Sequence, residues 1–407
     1  MKLVEQHTIR KGHPSYDVLD QEAYRSKNLY NATLYAVRQR YTTDQTYLPY
    51  ARLNKTFQEE HQPDYYTLPT KVAQQTMRMV DQAFKGFFKA LKSYKAAPNK
   101  FKKPPRIPKY LDKDGRYLLT YTSQAISKRI LDNEKRIKLS GINVSVPTLV
   151  TYDQLLQVRV VRKVSSYIIE VVFDDGREYE MKKDNGRYAA VDLGVNNMAT
   201  VTSNIKGFEP FAIDGRRLKS INRHYNKTVA ECKSILTTRN KRKWSLRTRK
   251  LAEKRDRRVK DYLHKASRML VNQLVSNEIN TIIIGHNHDW KQDINIGRVN
   301  NQNFVQIPFG IFISMLKYKC EREGITLREV DEAYTSKCSF LDCEEICRHD
   351  EYAGRRIKRG LFRSGTGRMI NADVNGSYNI LRKSMPKAFA DGVAGVLVHP
   401  RVIKILN

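Results

Sequence analysis

The segment RYAAVDLGVNNMATVTS, residues 187–203, is the most informative part of this chain for predicting its fold. Its two apolar runs flank the turn GVNN (194–197), and this arrangement is typical of a β-hairpin. Asp192 stands at the end of the first run, directly before the turn. A buried strand delivers a side chain at that point to the open edge of its sheet. The stretch therefore predicts a hairpin with a carboxylate at its edge.

The elements that follow this hairpin have an informative order. We expect a third strand, a long helical hairpin, a fourth strand, a helix, a fifth strand and a last helix, in FEPFAID (208–214), residues 216–279, TIIIG (281–285), the segment after Pro308, ITLREV (325–330) and the segment from Asp373. This is the element order of an RNase H-like fold. Its first strand lies in the middle of the sheet, with the fourth beside it and the fifth beside the fourth.

The first half of the chain has a different pattern. Residues 3–10 read as a strand, and helical stripes at residues 17–42 and 70–94 follow it. Beyond the Pro- and Lys-rich break PNKFKKPPRIP (98–108) the apolar period changes to two. Strands are predicted there at residues 136–146, 158–162 and 166–173. Successive short strands favour an antiparallel β-barrel or sandwich, which the strand at 3–10 could join with the helices as an insertion.

The charge of the chain indicates a polyanionic partner. The 407 residues carry 74 Lys and Arg against 42 Asp and Glu, a formal net charge of +32. The basic residues are spread along the chain, which favours long grooves that face nucleic acid over a merely soluble basic protein. There are five cysteines, no export signal and no apolar run long enough to span a bilayer. We therefore expect two to four domains in a reducing cytoplasm.

One basic run stands out between the two arms of the predicted helical hairpin. The segment RNKRKWSLRTRKLAEKRDRRVK (239–260) contains an aromatic residue within its charges. A charge run is usually a solvated helix face, but this one lies at a hairpin tip, so phosphate contact is the favoured interpretation. The candidate contacts are Arg239, Lys241, Arg242, Lys243, Trp244 and Arg247.

Two carboxylates are candidate metal ligands. Asp192 ends the central strand, and Asp373 opens the last helix. An Asp at a helix start can simply be an N-cap, because its oxygen accepts backbone N–H groups. In the expected strand order, however, the side chains of Asp192 and Asp373 lie together at one edge of the sheet, which favours a metal site. Mg²⁺ binds one or two carboxylates together with substrate phosphates and water, and two such ions stabilise both oxygens of a phosphodiester in displacement.

Three motifs carry a resemblance to a known family. VDLGVNNMATV, YTSKCSFLD and INADVNGSYNIL resemble the RuvC motifs of TnpB, the RNA-guided DNA nuclease of bacterial insertion sequences that is related to type V CRISPR effectors. The resemblance covers essentially the whole chain, by layout more than by motif in the first half. It implies a multidomain α+β protein: a β-barrel wedge domain with an inserted helical recognition domain, then an RNase H-like (RuvC) α/β nuclease domain with a long helical hairpin.

The resemblance also implies domain boundaries. The wedge would comprise residues 1–16 and 97–183, the recognition domain 17–96, and the RuvC domain 184–332 and 366–385 with the hairpin at 216–279. Residues 333–365 would be a degenerate zinc-ribbon-like insert that binds target nucleic acid. The tail, residues 386–407, has no readable pattern.

The chain departs from the family at the third carboxylate. Many members end the fourth strand in Glu, whereas this chain has Gly285. Either the nuclease is inactive or the carboxylate has moved. Glu332 follows the fifth strand, and adjacent strands lie about 4.8 Å apart, which a Glu side chain largely bridges. A subgroup of the family is similar, with a Gly there and a Glu before the YTSK tyrosine. Glu329 and Asp331 are rivals, and all three acids could be mere surface residues.

The second departure concerns cysteine. The family often carries a zinc ribbon with two CxxC pairs, but this chain has only Cys338, Cys343 and Cys347 at the corresponding place. Structural zinc needs four ligands, and His349 is a poorly spaced fourth. A ribbon without zinc is the favoured interpretation.

The remaining candidates concern nucleic-acid contact. His286 and His288 are expected at the rim of the site rather than as metal ligands, because imidazole suits Mg²⁺ poorly. Trp290 and Lys291, and Lys337 of the YTSK motif, are candidate nucleic-acid contacts. In the family a short duplex motif beside the target is read by the recognition and wedge domains. Lys71, Gln74 and Gln75 are candidates for that contact, since Gln pairs bidentately with adenine; an ordinary polar helix face is the alternative.

The candidate carboxylates and the resemblance to TnpB together imply an RNA-guided DNA endonuclease with two Mg²⁺ ions held by Asp192, Glu332 and Asp373. The resemblance also implies a bacterial cytoplasm, with nucleoid association when DNA is bound. The expected partners are a guide RNA from its own locus and double-stranded target DNA, and a monomer is the favoured oligomeric state. One alternative is a nuclease-inactive, RNA-guided repressor. The other is a transposase or resolvase on the same RNase H-like fold.

Overall fold

The computed structural model describes residues 1–240, 244–286, 306–390 and 392–405. The chain divides into two compact units, Met1–Glu178 and Tyr179–Asn407. The predicted wedge and recognition segments fall within or close to the first unit, and the predicted nuclease segments fall in the second. No helix in the described part of the chain is long and apolar enough to cross a membrane.

The first unit is built on a four-stranded antiparallel sheet. Its strands are β1 (Lys2–Arg10), β2 (Leu119–Thr122), β5 (Leu155–Arg162) and β6 (Ser166–Asp174). They lie in the order β1-β6-β5-β2. β1 pairs with β6 along its whole length, so the helices stand as an insertion between strands of one sheet. β2 lies in a stretch where we predicted no strand.

The alternating run at residues 136–146 is two strands instead of one. β3 (Arg136–Lys138) and β4 (Ser145–Pro147) form a two-stranded antiparallel ribbon. Gly141 in the intervening loop has a φ of +76°, a conformation that reverses the chain and that favours glycine. The period-two pattern was therefore correct, but the turn inside it was missed. Closure of these strands into a barrel stays a prediction.

Helices fill the first unit between β1 and β2, and a short one follows. They are α1 (Ser15–Asp44), α2 (Tyr50–Glu59), α3 (Pro63–Tyr66), α4 (Thr70–Ala96) and α5 (Lys128–Glu134). The predicted stripe of α4 is buried at Ala73, Met77, Val80 and Phe84. It packs in one core with the buried face of α1. The two helical periods in the sequence thus predicted both long helices.

The second unit contains a six-stranded mixed sheet in the order β11-β10-β7-β8-β9-β15. Its strands are β7 (Tyr188–Leu193), β8 (Asn197–Ser203), β9 (Phe211–Asp214), β10 (Thr281–Gly285), β11 (Thr326–Val330) and β15 (Arg401–Ile403). β7 is antiparallel to β8 and parallel to β10, and β10 is parallel to β11. The first strand is central, with the fourth beside it and the fifth beside that, as the sequence predicts.

Helices cover both faces of this sheet. They are α6 (Arg216–Asn240), α7 (Leu246–Ser276), α8 (Phe309–Arg322) and α9 (Ala372–Ser384). Leu263, Leu270 and Phe312 of α7 and α8 share a core with Val191 and Ile284, whereas Ile380 and Leu381 of α9 pack on Ala190 and Ile283. Successive strand residues point to opposite faces, so a residue two positions after Ala190 or Ile283 lies on the α9 face.

Two C-terminal features extend beyond the predictions. A three-stranded antiparallel sheet consists of β12 (Arg355–Lys358), β13 (Leu361–Arg363) and β14 (Met369–Asn371). It continues past residue 365, where the predicted insert ends. The tail, in which the sequence shows no readable pattern, also contains a strand. β15 pairs in parallel with β9 as the sixth strand of the sheet. Three residues are too few to display an apolar period.

Candidate active site

Asp192 lies at the open edge of the central strand, on the face covered by α9. It is the residue after Val191, which pairs with Ile284 of β10, and it pairs with Thr200 of β8. The side chain is half-buried. A Cβ built on Gly376 of α9 would lie 3.1 Å from Asp192 Oδ2. A side chain at position 376 would thus crowd the carboxylate, and glycine allows the helix to approach it.

Asp373 stands in the first turn of α9, but it is not the N-cap. That role belongs to Asn371, whose Oδ1 accepts hydrogen bonds from the backbone N–H groups of Asp373 (3.0 Å) and Val374 (3.2 Å). Asp373 Oδ2 instead accepts a hydrogen bond from Asn197 Nδ2 at 2.8 Å, and its Oδ1 lies 3.7 Å from Arg356 Nη2. The alternative that Asp373 only caps its helix is therefore wrong.

Glu332 reaches the same edge from the chain that follows β11. A Cβ built on Gly285 would lie 3.3 Å from the Cβ of Glu332, and only 2.5 Å from Cδ1 of Ile380. Gly285 ends β10 beside Asp192, one residue after the Ile284–Val191 pair. Here the space above Gly285 is filled by Ile380 and by the backbone end of the Glu332 side chain. Burial, followed by the charge of Asp331, raises the pKa of Glu332 to about 7.

The two rival acids have other partners. Glu329 pairs with Ile284 in the sheet, forms an ion pair with Lys317 Nζ (2.5 Å) and lies 3.4 Å from His286 Nδ1. Ile284 belongs to the core on the α7 and α8 face, so Glu329 points away from Asp192. Asp331 Oδ1 accepts a hydrogen bond from the backbone N–H of Ala333 at 3.3 Å, and its side chain is 62% exposed. Neither acid is among the charges that raise the pKa of Asp192.

The electrostatics of Asp192 connect the three carboxylates. Its pKa is raised well above the ordinary value by burial, by the negative charge of Asp373 and by that of Glu332, while Arg356 opposes these effects. As the side chains stand, no group of three or more His, Cys, Asp or Glu residues in the described ranges forms a metal-holding cluster. The carboxylates are thus close enough to repel one another without forming a closed ligand set.

The sequence did not identify two of the polar neighbours. Asn197 begins β8 in the GVNN turn, and Arg356 comes from β12 of the insert. Asn197 lay within the motif that we quoted, in the turn that follows the strand of Asp192, so its place in that motif was a usable signal. Arg356 is one of many basic residues, and no local pattern distinguishes it.

The described nucleic-acid candidates lie at the surface of two different units. Lys71 of α4 is exposed, and its neighbours Gln74 and Gln75 are half-buried. Trp244 is 51% exposed, with Lys233 Nζ 4.2 Å from its ring centroid. The flanking Arg239 and Arg247, and Lys337 of the insert, are exposed. The candidates Lys241, Arg242, Lys243, Trp290 and Lys291, and also His288, lie outside the described residues.

The three cysteines of the insert differ in exposure. Cys338 is buried and its Sγ donates to the carbonyl oxygen of Cys347 at 3.7 Å. Cys347 Sγ lies 3.3 Å from His349 Nε2, whereas Cys343 is exposed. Burial raises the pKa of the Cys338 thiol, which disfavours the thiolate that a zinc ligand requires. The insert without zinc stays a prediction.

Comparisons with known families agree with the motifs. The model OrfB_IS605, described as a probable transposase, matches residues 159–291, and the model of the Cas12f1-like TNB domain matches residues 309–380. The TnpB-like protein ORF457 of Acidianus two-tailed virus is 25% identical over 225 residues, or 53% of this chain. The match covers 46% of the viral protein, so this chain spans about half the length of that relative.

Solved structures resemble the chain as well. The mini-RNA-guided endonuclease CRISPR-Cas_phi3 is 11% identical and aligns over 98% of this chain and 93% of its own, with a TM-score of 0.50. The Cas12f1–sgRNA–target DNA complex is 15% identical over 95% of this chain and 100% of its own, with a TM-score of 0.38. The mixed α+β fold thus resembles that of Cas-phi. The resemblance to TnpB is confirmed by the family models and the viral relative.

Proposed function

We propose that this chain is an RNA-guided, Mg²⁺-dependent DNA endonuclease of a transposable element. The observation that carries the proposal is the convergence of Asp192, Glu332 and Asp373 on one sheet edge, where two of them raise the pKa of the third. The resemblance to TnpB and the net charge of +32 support an RNA guide and a DNA target. Cas-phi, whose fold this chain resembles, is itself an RNA-guided endonuclease.

The donor set fits Mg²⁺. All three side chains offer the hard oxygen donors that this ion binds. Asp373 and Glu332 raise the pKa of Asp192 by repulsion, and Arg356 is the one positive charge among the causes of that shift. A bound divalent ion would relieve that repulsion. When bound, such ions stabilise the attacking and the leaving oxygen of a phosphodiester. Asn197 and Arg356 would hold the Asp373 carboxylate in its orientation.

Other surfaces would handle the nucleic acids. Guide pairing would read the target sequence, while the protein holds the duplexes through basic surfaces. Lys71, Gln74 and Gln75 would contact a short target-adjacent motif. Trp244 and the arginines beside it would contact nucleic acid at the tip of the α6–α7 hairpin, and Lys337 would do so from the insert.

Cleavage with matched carboxylate variants tests the proposal. The protein is purified with its co-purifying RNA, and cleavage of a matching DNA is measured with and without Mg²⁺. Asp192→Asn, Glu332→Gln and Asp373→Asn should each slow cutting at least 100-fold and leave target binding unchanged. Glu329→Gln is the control, because this acid points to the opposite sheet face and should cut like the wild type.

Three results would contradict the proposal in different ways. A wild-type protein that binds its target tightly and never cuts it supports the repressor alternative. A protein that carries no specific RNA and binds none from its own locus is not guided. Normal cutting by Glu332→Gln would leave the metal site without its proposed third carboxylate.

A further inference from the structure

The last helix contacts the chain on both sides of Glu332. Lys383 Nζ of α9 lies 3.4 Å from Asp331 Oδ2 and donates to the carbonyl oxygen of Ala333 at 3.2 Å. One turn earlier, Asn379 Nδ2 donates to the carbonyl oxygens of Thr335 (2.9 Å) and Cys338 (2.8 Å). Residues four apart on a helix share one face, so a single face of α9 holds this loop.

The loop is also fastened from within. Asp331 Oδ1 accepts a hydrogen bond from the N–H of Ala333, which closes a turn around Glu332. The carbonyl oxygen of Glu332 accepts two hydrogen bonds from Thr335, one from its N–H at 3.2 Å and one from Oγ1 at 2.8 Å. Thr335 is buried, and Asn379 is bonded to its carbonyl. A continuous chain of hydrogen bonds therefore joins α9 to the backbone of Glu332.

A glutamate in this place needs such support. A carboxylate at the end of β10 would be fixed by the hydrogen-bond ladders to β7 and β11. Glu332 lies beyond the end of β11, where the last ladder bond runs from the His286 N–H to the Val330 carbonyl at 2.9 Å. Its position therefore depends on contacts other than the sheet.

We propose that Lys383, Asn379 and Thr335 are positioning residues that hold Glu332 at the metal site in place of a strand. This inference rests on the proposed function, since it assumes that Glu332 is a metal ligand. Partners of this kind fix the orientation of a ligand and therefore its affinity for the ion. The Lys383–Asp331 pair is partly exposed, so it contributes little to stability, and its loss should be visible in the site rather than in unfolding.

Two matched pairs of variants separate positioning from folding. Thr335→Val removes the hydroxyl group at nearly constant volume, whereas Thr335→Ser keeps the hydroxyl group. Lys383→Met removes the ammonium group, and Lys387→Met is its control on an exposed lysine four residues further along. Asn379 is fully buried, so its replacement would disturb folding as well as the position of Glu332, and it is not used.

The readouts are Mn²⁺ affinity by electron paramagnetic resonance, hydrogen exchange of residues 331–338, target affinity and the single-turnover cleavage rate, all in the guide-bound full chain. Thr335→Val and Lys383→Met should weaken Mn²⁺ binding about 10-fold, the lower end for losing such a partner. They should also speed exchange in the loop and slow cleavage at unchanged target affinity. Thr335→Ser and Lys387→Met should match the wild type.

Glu332→Gln distinguishes failure of this inference from failure of the proposed function. If Glu332→Gln loses Mn²⁺ while Thr335→Val and Lys383→Met retain wild-type affinity and exchange, the positioning role is wrong and the metal site stands. If Glu332→Gln retains full Mn²⁺ affinity, the proposed ligand set is wrong, and the positioning role falls with it.

Discussion

The Cβ of Glu332 lies 3.3 Å from the point that a Cβ on Gly285 would occupy. The side chain of Glu332 therefore begins beside the place that a side chain at the end of β10 would take. Ile380 fills the rest of that place, because its Cδ1 lies 2.5 Å from the same point. Glycine at the end of this strand thus leaves room for Ile380 and for the chain that follows β11, and under the proposed function Glu332 replaces the missing carboxylate.

The contact between Gly285 and Ile380 predicts a strong coupling in stability. Gly285→Ala places a Cβ 2.5 Å from Cδ1 of the fully buried Ile380, so we expect destabilisation of about 1–3 kcal/mol. Ile380→Ala alone should cost about 2–5 kcal/mol through its cavity. The double variant should be less destabilised than the sum of the two single variants. Ile380→Ala removes the atoms that the new Cβ would meet, and that Cβ fills part of the cavity. Urea unfolding of the four proteins measures this, and strict additivity would contradict it.

How much of this architecture the sequence predicts depends on the length of each pattern. β10 is five buried residues between turns, and α4 repeats its apolar stripe over about five turns, so both were predicted. β15 has three residues and gains its place only by pairing with β9. In the site, Asp192 and Asp373 follow from a strand end and a helix start. Arg356 meets Asp373 only through the folding of the insert, and no local signal encodes that.

The Asp20 carboxylate anchors α1 to the sheet of the first unit and makes its stability pH-dependent. It accepts hydrogen bonds from Arg116 Nη2 (2.6 Å) and from the buried Tyr167 hydroxyl (2.7 Å). Burial raises the pKa of Asp20, but these donors outweigh it and the net pKa is lowered. A lowered pKa gives stability that is present above the unfolded value of about 3.9 and lost as the pH falls through the folded value.

Asp20→Asn should therefore destabilise the full chain by about 2 kcal/mol at pH 7, and the difference from the wild type should shrink below about pH 4. Pulse proteolysis in urea, read at sites in residues 1–178, measures the difference. Asp17→Asn is the control on the exposed face of the same helix. A difference that is constant from pH 7 to pH 3 would exclude the carboxylate as its source.

A buried lysine between α7 and α8 predicts a second rise of stability with pH, in the alkaline range. Lys319 Nζ donates to the carbonyl oxygen of His264 at 2.7 Å and to Ser267 Oγ at 2.6 Å. Burial, and to a lesser degree the charge of Arg268, lowers the pKa of Lys319 to about 8. The unfolded chain, with a pKa of about 10.4, then binds more protons between these values, so stability rises with pH there.

We expect the wild type to gain on the order of 1–3 kcal/mol relative to Lys319→Met between pH 8 and pH 10. Urea unfolding across this range measures the gain, and taking the difference removes the titration of groups common to both proteins. Lys317→Met, on the exposed side of the same helix, controls for general loss of charge. A wild-type curve parallel to that of Lys319→Met would mean that this lysine keeps an ordinary pKa.

The tip of the α6–α7 hairpin predicts two separable contributions to nucleic-acid binding. Trp244 is half-exposed under Lys233, and Arg247 follows in the first turn of α7, which Ser245 caps. An exposed ring stacks on a base at about 1–3 kcal/mol, whereas an arginine neutralises a phosphate and releases counterions.

Trp244→Ala should therefore weaken binding of single-stranded RNA about 5- to 150-fold with little change in salt dependence, and Trp244→Phe should keep most of the affinity. Arg247→Gln should instead reduce the salt slope by about 1. Titration at several salt concentrations separates the two effects, and equal affinities and slopes for all four proteins would show that the hairpin tip does not contact RNA.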